Sequence, residues 1–176
     1  MQQHRALILR SNRFLGSSLV EKGLVSTADL EAANEKFMES IQSPELLKNA
    51  SILTTLVYAL KALDETKVLE LLVEEHGMGL IDLDFMELAS LGAMGIDSSA
   101  CWATSTIPFG KVEGMYLLAS CYYMSAPAVK YWEELLNHNI IWYGTSTASM
   151  MRGLERLEEM QAAEAAAAAE EEEDAV

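Results

Sequence analysis

No run of about 18 apolar residues occurs in this chain of 176, so no segment has the length and polarity of a membrane-spanning helix. The short apolar stretch Ala6–Leu9, flanked by His4, Arg5 and Arg10, is too brief for the core of a secretory signal and has no cleavage site after it. The protein is therefore expected to stay in the cytoplasm. Cysteine is scarce. Cys101 and Cys121 form no C-x-x-C pair, which excludes a disulfide framework and leaves two reduced, buried thiols as the reading. The three histidines, His4, His76 and His138, are scattered, and none has a Cys or His at ligand spacing. His76 and His138 fall near expected helix C-termini, where a partly charged imidazole suits the helix dipole.

Catalytic signatures are missing too. There is no G-x-x-x-x-G-K-[ST] loop for a triphosphate, no G-x-S-x-G elbow, no G-x-G-x-x-G and no H-E-x-x-H. Gly110-Lys111 lacks both the upstream glycine and the following hydroxyl. Neither cysteine has a histidine nearby in sequence to activate it as a nucleophile. Adjacent acids such as Glu74-Glu75 and Glu133-Glu134 point to different helix faces. Asp82 and Asp84 share one face of a strand end, but no third acidic ligand stands near them, and a hard cation needs several oxygens. No catalytic residue, no metal site and no cofactor is expected.

What is present is apolar and acidic. Apolar residues make up 51% of the chain, enough for a core without staples, and the ten methionines read as flexible filler within it. The net charge of −15 is unevenly placed. Residues 155–176 carry nine acids against the single base Arg156, leaving −7 for residues 1–154. Both parts would repel a phosphate backbone, so nucleic acid is not an expected partner.

Residues 1–76 read as a helical subdomain. A short helix over Ser17–Lys22 stops at Gly23. Ser26 with Asp29 forms an S-x-x-D cap for an amphipathic helix to about Ser40, carrying Leu30, Ala33 and Phe37. Ser43-Pro44 breaks the chain, and Ile52, Leu53, Leu56, Val57 and Leu60 supply another apolar face. Asp64 caps a helix with Val68, Leu71 and Leu72, closed by His76 and Gly77.

Residues 77–160 change period. Strands are expected at Leu80–Leu83, Ile107–Lys111, Met115–Cys121 and Ile140–Tyr143, with a turn at Glu113-Gly114. Helices are expected at Ser98–Thr104 after Asp97, at Ala126–Asn137 after Ser125, and from Thr147 through Met150, Met151, Leu154 and Leu157. The order β-α-β-β-α-β-α specifies an α+β protein, a small helical bundle followed by a small mixed sheet with packed helices. From Met160 the apolar stripe stops. Residues 161–176 read as an alanine- and glutamate-rich acidic tail, a fraying helix with a disordered end. Tyr122, Tyr123, Tyr131, Trp132 and Trp142 gather around strand ends and one helix. Core packing accounts for some of them, and the rest are candidates for an interaction patch, since Tyr and Trp are enriched at binding hot spots.

The segment Phe14-Leu15-Gly16, Leu19-Val20, Gly23-Leu24-Val25, Leu30 and Ala33 resembles the opening of the N-terminal domain of type II secretion and type IV pilus assembly ATPases. Weaker likeness continues through His76–Leu83, Ile107-Pro108-Phe109, Met115–Ser120, Ile140–Tyr143 and Thr147–Glu158, in the order of that domain's elements. The resemblance implies a non-catalytic docking module, separate from the ATPase, with a secretion, pilus or signalling component as its protein partner. Some members of that family bind cyclic-di-GMP, and the matching ligand positions here are Arg10, Arg13, Leu15, Gly16 and Gly23. The departures argue against that ligand: Arg13 lies one place before the family's arginine, Phe37 replaces its glutamine, and Leu53 and Leu60 stand where the second copy has glycines.

Overall fold

A computed structural model describes residues 1–174. Its first helix, α1 (Arg5–Glu21), begins a dozen residues before the expected Ser17. The reason lies in its buried stripe, Ile8, Ser11, Asn12, Leu15, Gly16 and Leu19. The spacing is helical, but two central positions are polar, so hydrophobic periodicity alone misses the N-terminal half. Gly23 closes the helix at φ +69°, with the Leu24 amide reaching back to the Leu19 carbonyl.

α2 (Thr27–Gln42) starts as expected: the Ser26 hydroxyl accepts from the Asp29 amide at 3.1 Å. It buries Ala33, Phe37 and Ile41. The apolar stretch after Ser51 is a brief helix, α3 (Ile52–Thr54), that widens at once into a π turn over Thr55–Ala59. Asp64 caps α4 (Glu65–His76), and Gly77 ends it in the left-handed region.

The strands are β1 (Gly79–Leu80), β2 (Thr106–Val112), β3 (Met115–Ser120) and β4 (Ile140–Gly144), in the spatial order β1-β4-β3-β2. β4 runs parallel to β1 and to β3, while β2 and β3 form an antiparallel hairpin. Glu113 and Gly114 turn that hairpin with φ of +51° and +85°, as a type I′ turn requires. β1 is shorter than expected. Its continuation is pulled out of the sheet because the Asp82 carboxylate accepts from the Asp84 amide and the Ser149 hydroxyl, each at 3.0 Å, starting a 3-10 turn over Leu83–Phe85.

Three helices complete this half: α5 (Ser98–Thr104), capped by Asp97; α6 (Ala126–Leu135), with Pro127 in its first turn; and α7 (Thr147–Asp174). α6 is two residues shorter than expected, since Asn137 and His138 both take positive φ. The observed order from β1 onward is β-α-β-β-α-β-α, an α+β fold with a mixed four-stranded sheet. One buried apolar cluster draws on both sides of residue 76, from Leu7 in α1 to Leu157 in α7.

α7 runs on through the alanine- and glutamate-rich stretch to Asp174, while Ala175 and Val176 lie outside the described residues. Gln161 still reaches the body, donating to the Ile96 carbonyl at 3.4 Å. Beyond it residues 162–170 are all exposed. Alanine has the highest helix propensity of any residue, which explains helix continuing with nothing to pack against.

Candidate functional sites

The expected aromatic patch divides into two populations. Tyr122 and Trp132 are core residues, 2% and 0% exposed. The Trp132 indole donates to the Thr104 hydroxyl at 2.9 Å, fixing α6 against α5. The Tyr122 hydroxyl lies 2.8 Å from Asn12 Oδ1 and 2.6 Å from Ser51 Oγ. Asn12 in turn donates to the Ile8 carbonyl at 2.9 Å and accepts from the Ile52 amide at 2.8 Å. This network joins α1, the start of α3 and the end of β3 in one buried polar knot. Burial pushes the Tyr122 phenol well above its ordinary value, the Ser51 and Asn12 bonds opposing that rise. These two aromatics therefore belong to the core and not to the expected surface patch.

Tyr123, Tyr131 and Trp142 are half-buried. Tyr123 stands edge-on between Trp142 (5.6 Å between centroids) and His76 (5.3 Å), so three rings from three elements form a row. Beside this row a groove of about 320 Å³ runs past Ser18, Lys22, Met124 and Val129. His76 lies in the last turn of α4, as its place before Gly77 implies, but its packing on Tyr123 is not legible from spacing. Tyr131 belongs to a different place, edge-on to Trp132 at 5.5 Å and to His4 at 6.0 Å. The aromatic residues do not make a single surface.

The candidate ligand residues separate in the same way. Arg10 and Arg13 are exposed and line a groove of about 370 Å³ between α1 and α2 with Leu9, Asn34, Phe37 and Met38. Leu15 is 1% exposed and Gly16 is buried, so neither offers a surface there. A Cβ on Gly16 would fall 2.6 Å from Leu30 Cδ1, which is how the two helices approach so closely. Gly23 is at the helix end, shaped by its positive φ. Of the α2 half of the groove the resemblance picks out only Phe37, although Asn34 and Met38 are one helical turn apart and their spacing is a usable signal.

Two alternative chemistries have structural occupations. Cys101 and Cys121 are 0% and 5% exposed, and burial drives both thiols up from their ordinary range, away from thiolate chemistry. Cys121 donates to the Thr145 carbonyl at 3.3 Å. Asp84 is paired with Arg152, Oδ2 to Nη2 at 2.7 Å, and this hydrogen-bonded guanidinium holds its carboxyl below the ordinary value. Asp82 and Asp84 thus anchor α7. No group of three or more metal-ligating side chains occurs among the described residues.

No protein-family model and no curated protein matches this chain. Among solved structures it is similar to MshE with cdg, at 20% identity and a TM-score of 0.50, covering 81% of this chain and 97% of that one. It is also similar to the N-terminal domain of XpsE, at 14% identity and a TM-score of 0.51, covering 83% of this chain and 94% of that one. At these identities the likeness is one of fold. It extends over both the helical and the sheet halves, in agreement with the resemblance carried by the Gly16–Gly23 motif.

Proposed function

We propose that this protein is a non-catalytic docking module of the cytoplasm, engaging a protein component of a secretion, pilus or signalling apparatus. The observation that carries the reading is the fold, shared over four-fifths of the chain with the N-terminal domain of XpsE and with MshE. The chemistry agrees with it. Both thiols are buried, the candidate carboxylates are occupied in holding α7, and the groove beside His76 and Tyr123 is lined by aromatic and apolar side chains with Ser18, Glu21 and Lys22 among them. Such surfaces bind other proteins through rigid rings set in a polar rim. The row His76–Tyr123–Trp142 groups two of the three half-buried aromatics of the set, Tyr131 standing apart, and is the first place to look for the partner.

A photo-crosslinking residue placed at Tyr123, in cells producing the full chain, tests this directly. Crosslinking to a secretion, pilus or signalling component, lost when Trp142 is replaced by alanine, is the expected result. Crosslinks confined to unrelated abundant proteins would remove the reading.

A second reading, a degenerate cyclic-di-GMP sensor, has one observation in its favour: Arg10 and Arg13 do line a common groove. Against it, Leu15 and Gly16 are buried, and Phe37, 3% exposed, stands in place of the family's glutamine. Calorimetry with cyclic-di-GMP at about 100 μM protein is expected to give no heat, which corresponds to binding too weak to matter. Heat that disappears in Arg10→Ala and Arg13→Ala would put the sensor first.

A further inference from the structure

The bases of this acidic protein are not spread evenly. Lys22, Lys48, Lys130 and Arg152 are each paired with a carboxylate, and Arg156 donates to the Leu83 and Met86 carbonyls. Among the described residues Arg10 and Arg13, like Arg5, Lys36, Lys61 and Lys67, make no ion pair or side-chain hydrogen bond, but these two share one groove. They sit on α1 where it has no acid before Glu21, at the rim of a groove floored by Leu9 and Phe37. Met38, 46% exposed, closes the other rim, and Phe14, 50% exposed, stands one residue after Arg13 on α1. The groove is cationic along its α1 edge, polar at Asn34 and apolar at Leu9, Phe37 and Met38.

At the other end of the chain is a segment of opposite character. α7 leaves the body near Gly92, where a Cβ would come within 3.2 Å of the Glu164 carboxylate. Past that point Ala165–Ala169 and Glu170 are exposed helix, and the sequence continues with Glu171, Glu172, Glu173 and Asp174. In the sequence five alanines are followed by five consecutive acids, an apolar strip ending in negative charge, which is the complement of an apolar cleft with a cationic edge. Helix-in-groove recognition needs an apolar strip plus charges that set the register, and both halves of such a pair are present in this one chain.

We infer that the α1–α2 groove takes the alanine- and glutamate-rich end of α7 from a second copy of this chain, its carboxylates pairing with Arg10 and Arg13. The contact joins the tail of one copy to the groove of another. Two such contacts close a dimer, in which each chain gives a tail and receives one. The inference is independent of the docking reading, which concerns a different protein and a different groove.

Sedimentation of the full chain across protein concentration and salt tests it. The mass is expected to rise from 19.4 kDa towards twice that value at moderate salt, and to fall back by 1 M, where the screening length is about 3 Å. Two variants are then compared, a chain ending at Gln161 and the double substitution Arg10→Glu with Arg13→Glu. Each alone is expected to remain monomeric while keeping the circular dichroism of a folded chain, since neither change touches a buried residue. Mixed together they are expected to associate one to one, because one supplies an intact tail and the other an intact groove. That pair has one contact instead of two, so it forms at least 10-fold more weakly than the parent dimer. A full chain that stays monomeric at every salt, a tail-less chain that still dimerises, or a mixture that fails to associate would each overturn the inference.

Discussion

The two faces of α1 do opposite things with polar residues. Its inner face places Ser11 and Asn12 in the core, 0% and 1% exposed, and commits its neighbours to the sheet half. Asn12 meets Tyr122 and Ile52, the Ser125 hydroxyl donates to the Ser11 carbonyl at 2.8 Å, and the Ser18 hydroxyl donates to the Met124 carbonyl at 2.9 Å. Its outer face carries Arg10, Arg13 and Phe14 to solvent with no such partners among the described residues. In a buried site an unmet polar group is costly, so the inner pattern specifies where the sheet half must sit. In water an arginine costs nothing to leave alone. The inner face is thus built for the fold and the outer face is left for something outside it.

Removing the centre of the inner network is expected to have the largest effect. Asn12→Ala leaves the Ile52 amide and the Tyr122 hydroxyl without their shared acceptor in a buried site and opens a small void beside them. A loss of about 3 kcal/mol follows, or roughly 6–12 °C in melting temperature for a chain of this size. Thermal unfolding by circular dichroism measures it. A loss below about 1 kcal/mol would mean that the network does not join the two halves.

Tyr122→Phe is the milder cut, expected to cost about 1 kcal/mol because Asn12 and Ser51 keep other partners. It also has a pH signature. Burial raises the Tyr122 phenol in the folded chain above its ordinary 10, so stability is full below pH 10 and falls as pH rises past it, when the unfolded chain ionises and the folded one does not. The phenylalanine variant is expected to lose part of this alkaline slope. Spectrophotometric titration of the parent should show Tyr122 resisting ionisation until the protein unfolds.

Asp97→Ala probes a cap made within its own turn and joined by one distant donor, Gln3, whose side-chain amide reaches the Asp97 carboxylate at 2.8 Å. The Asp97 carboxylate accepts from the Ser99 amide at 2.9 Å and the Ser99 hydroxyl at 2.6 Å, and these bonds hold its pKa below the ordinary 3.8. Its stabilisation is therefore present above about pH 4 and is lost as pH falls through the lowered value. The substitution is expected to cost about 1 kcal/mol at neutral pH and to flatten the acid limb of the stability curve, measured by denaturant unfolding between pH 2 and 7.

Caps are legible in the sequence because they are local chemistry. Ser26, Asp64 and Asp97 each meet an amide two or three residues on, and Glu113-Gly114 turn the hairpin by their own φ preference. The α+β order follows from those boundaries plus the change of apolar period. What sequence does not reveal depends on distant residues. The N-terminal half of α1 is hidden because the Asn12 side chain is satisfied by Ile52 and Tyr122, far along the chain, while the Ser125 hydroxyl donates to the backbone carbonyl of Ser11. Tyr122 and Tyr123 are adjacent, and nothing local says that the first turns into the core and the second toward His76. The candidate ligand set divides for the same reason: Arg10 and Arg13 share a groove, whereas Leu15 and Gly16 face the interior of the bundle. The groove itself needs α2 laid beside α1, and that close approach rests on Leu30 lying over Gly16.

The smallest expected effect sharpens the comparison most. Arg10→Ala and Arg13→Ala, singly, are expected to change stability by less than about 0.5 kcal/mol, since exposed side chains away from caps and cores rarely contribute more. Each substitution takes one cation from a chain of net charge −15, which raises self-repulsion slightly, so any change should be a small loss that fades with salt. A loss of about 2 kcal/mol at either position in the monomer would show that the outer face is tied into the fold after all, and the contrast between the two faces would disappear. If stability holds while association is lost, the arginines serve only what lies outside the chain. That outcome separates a residue kept for folding from one kept for binding on the same helix, within a single turn.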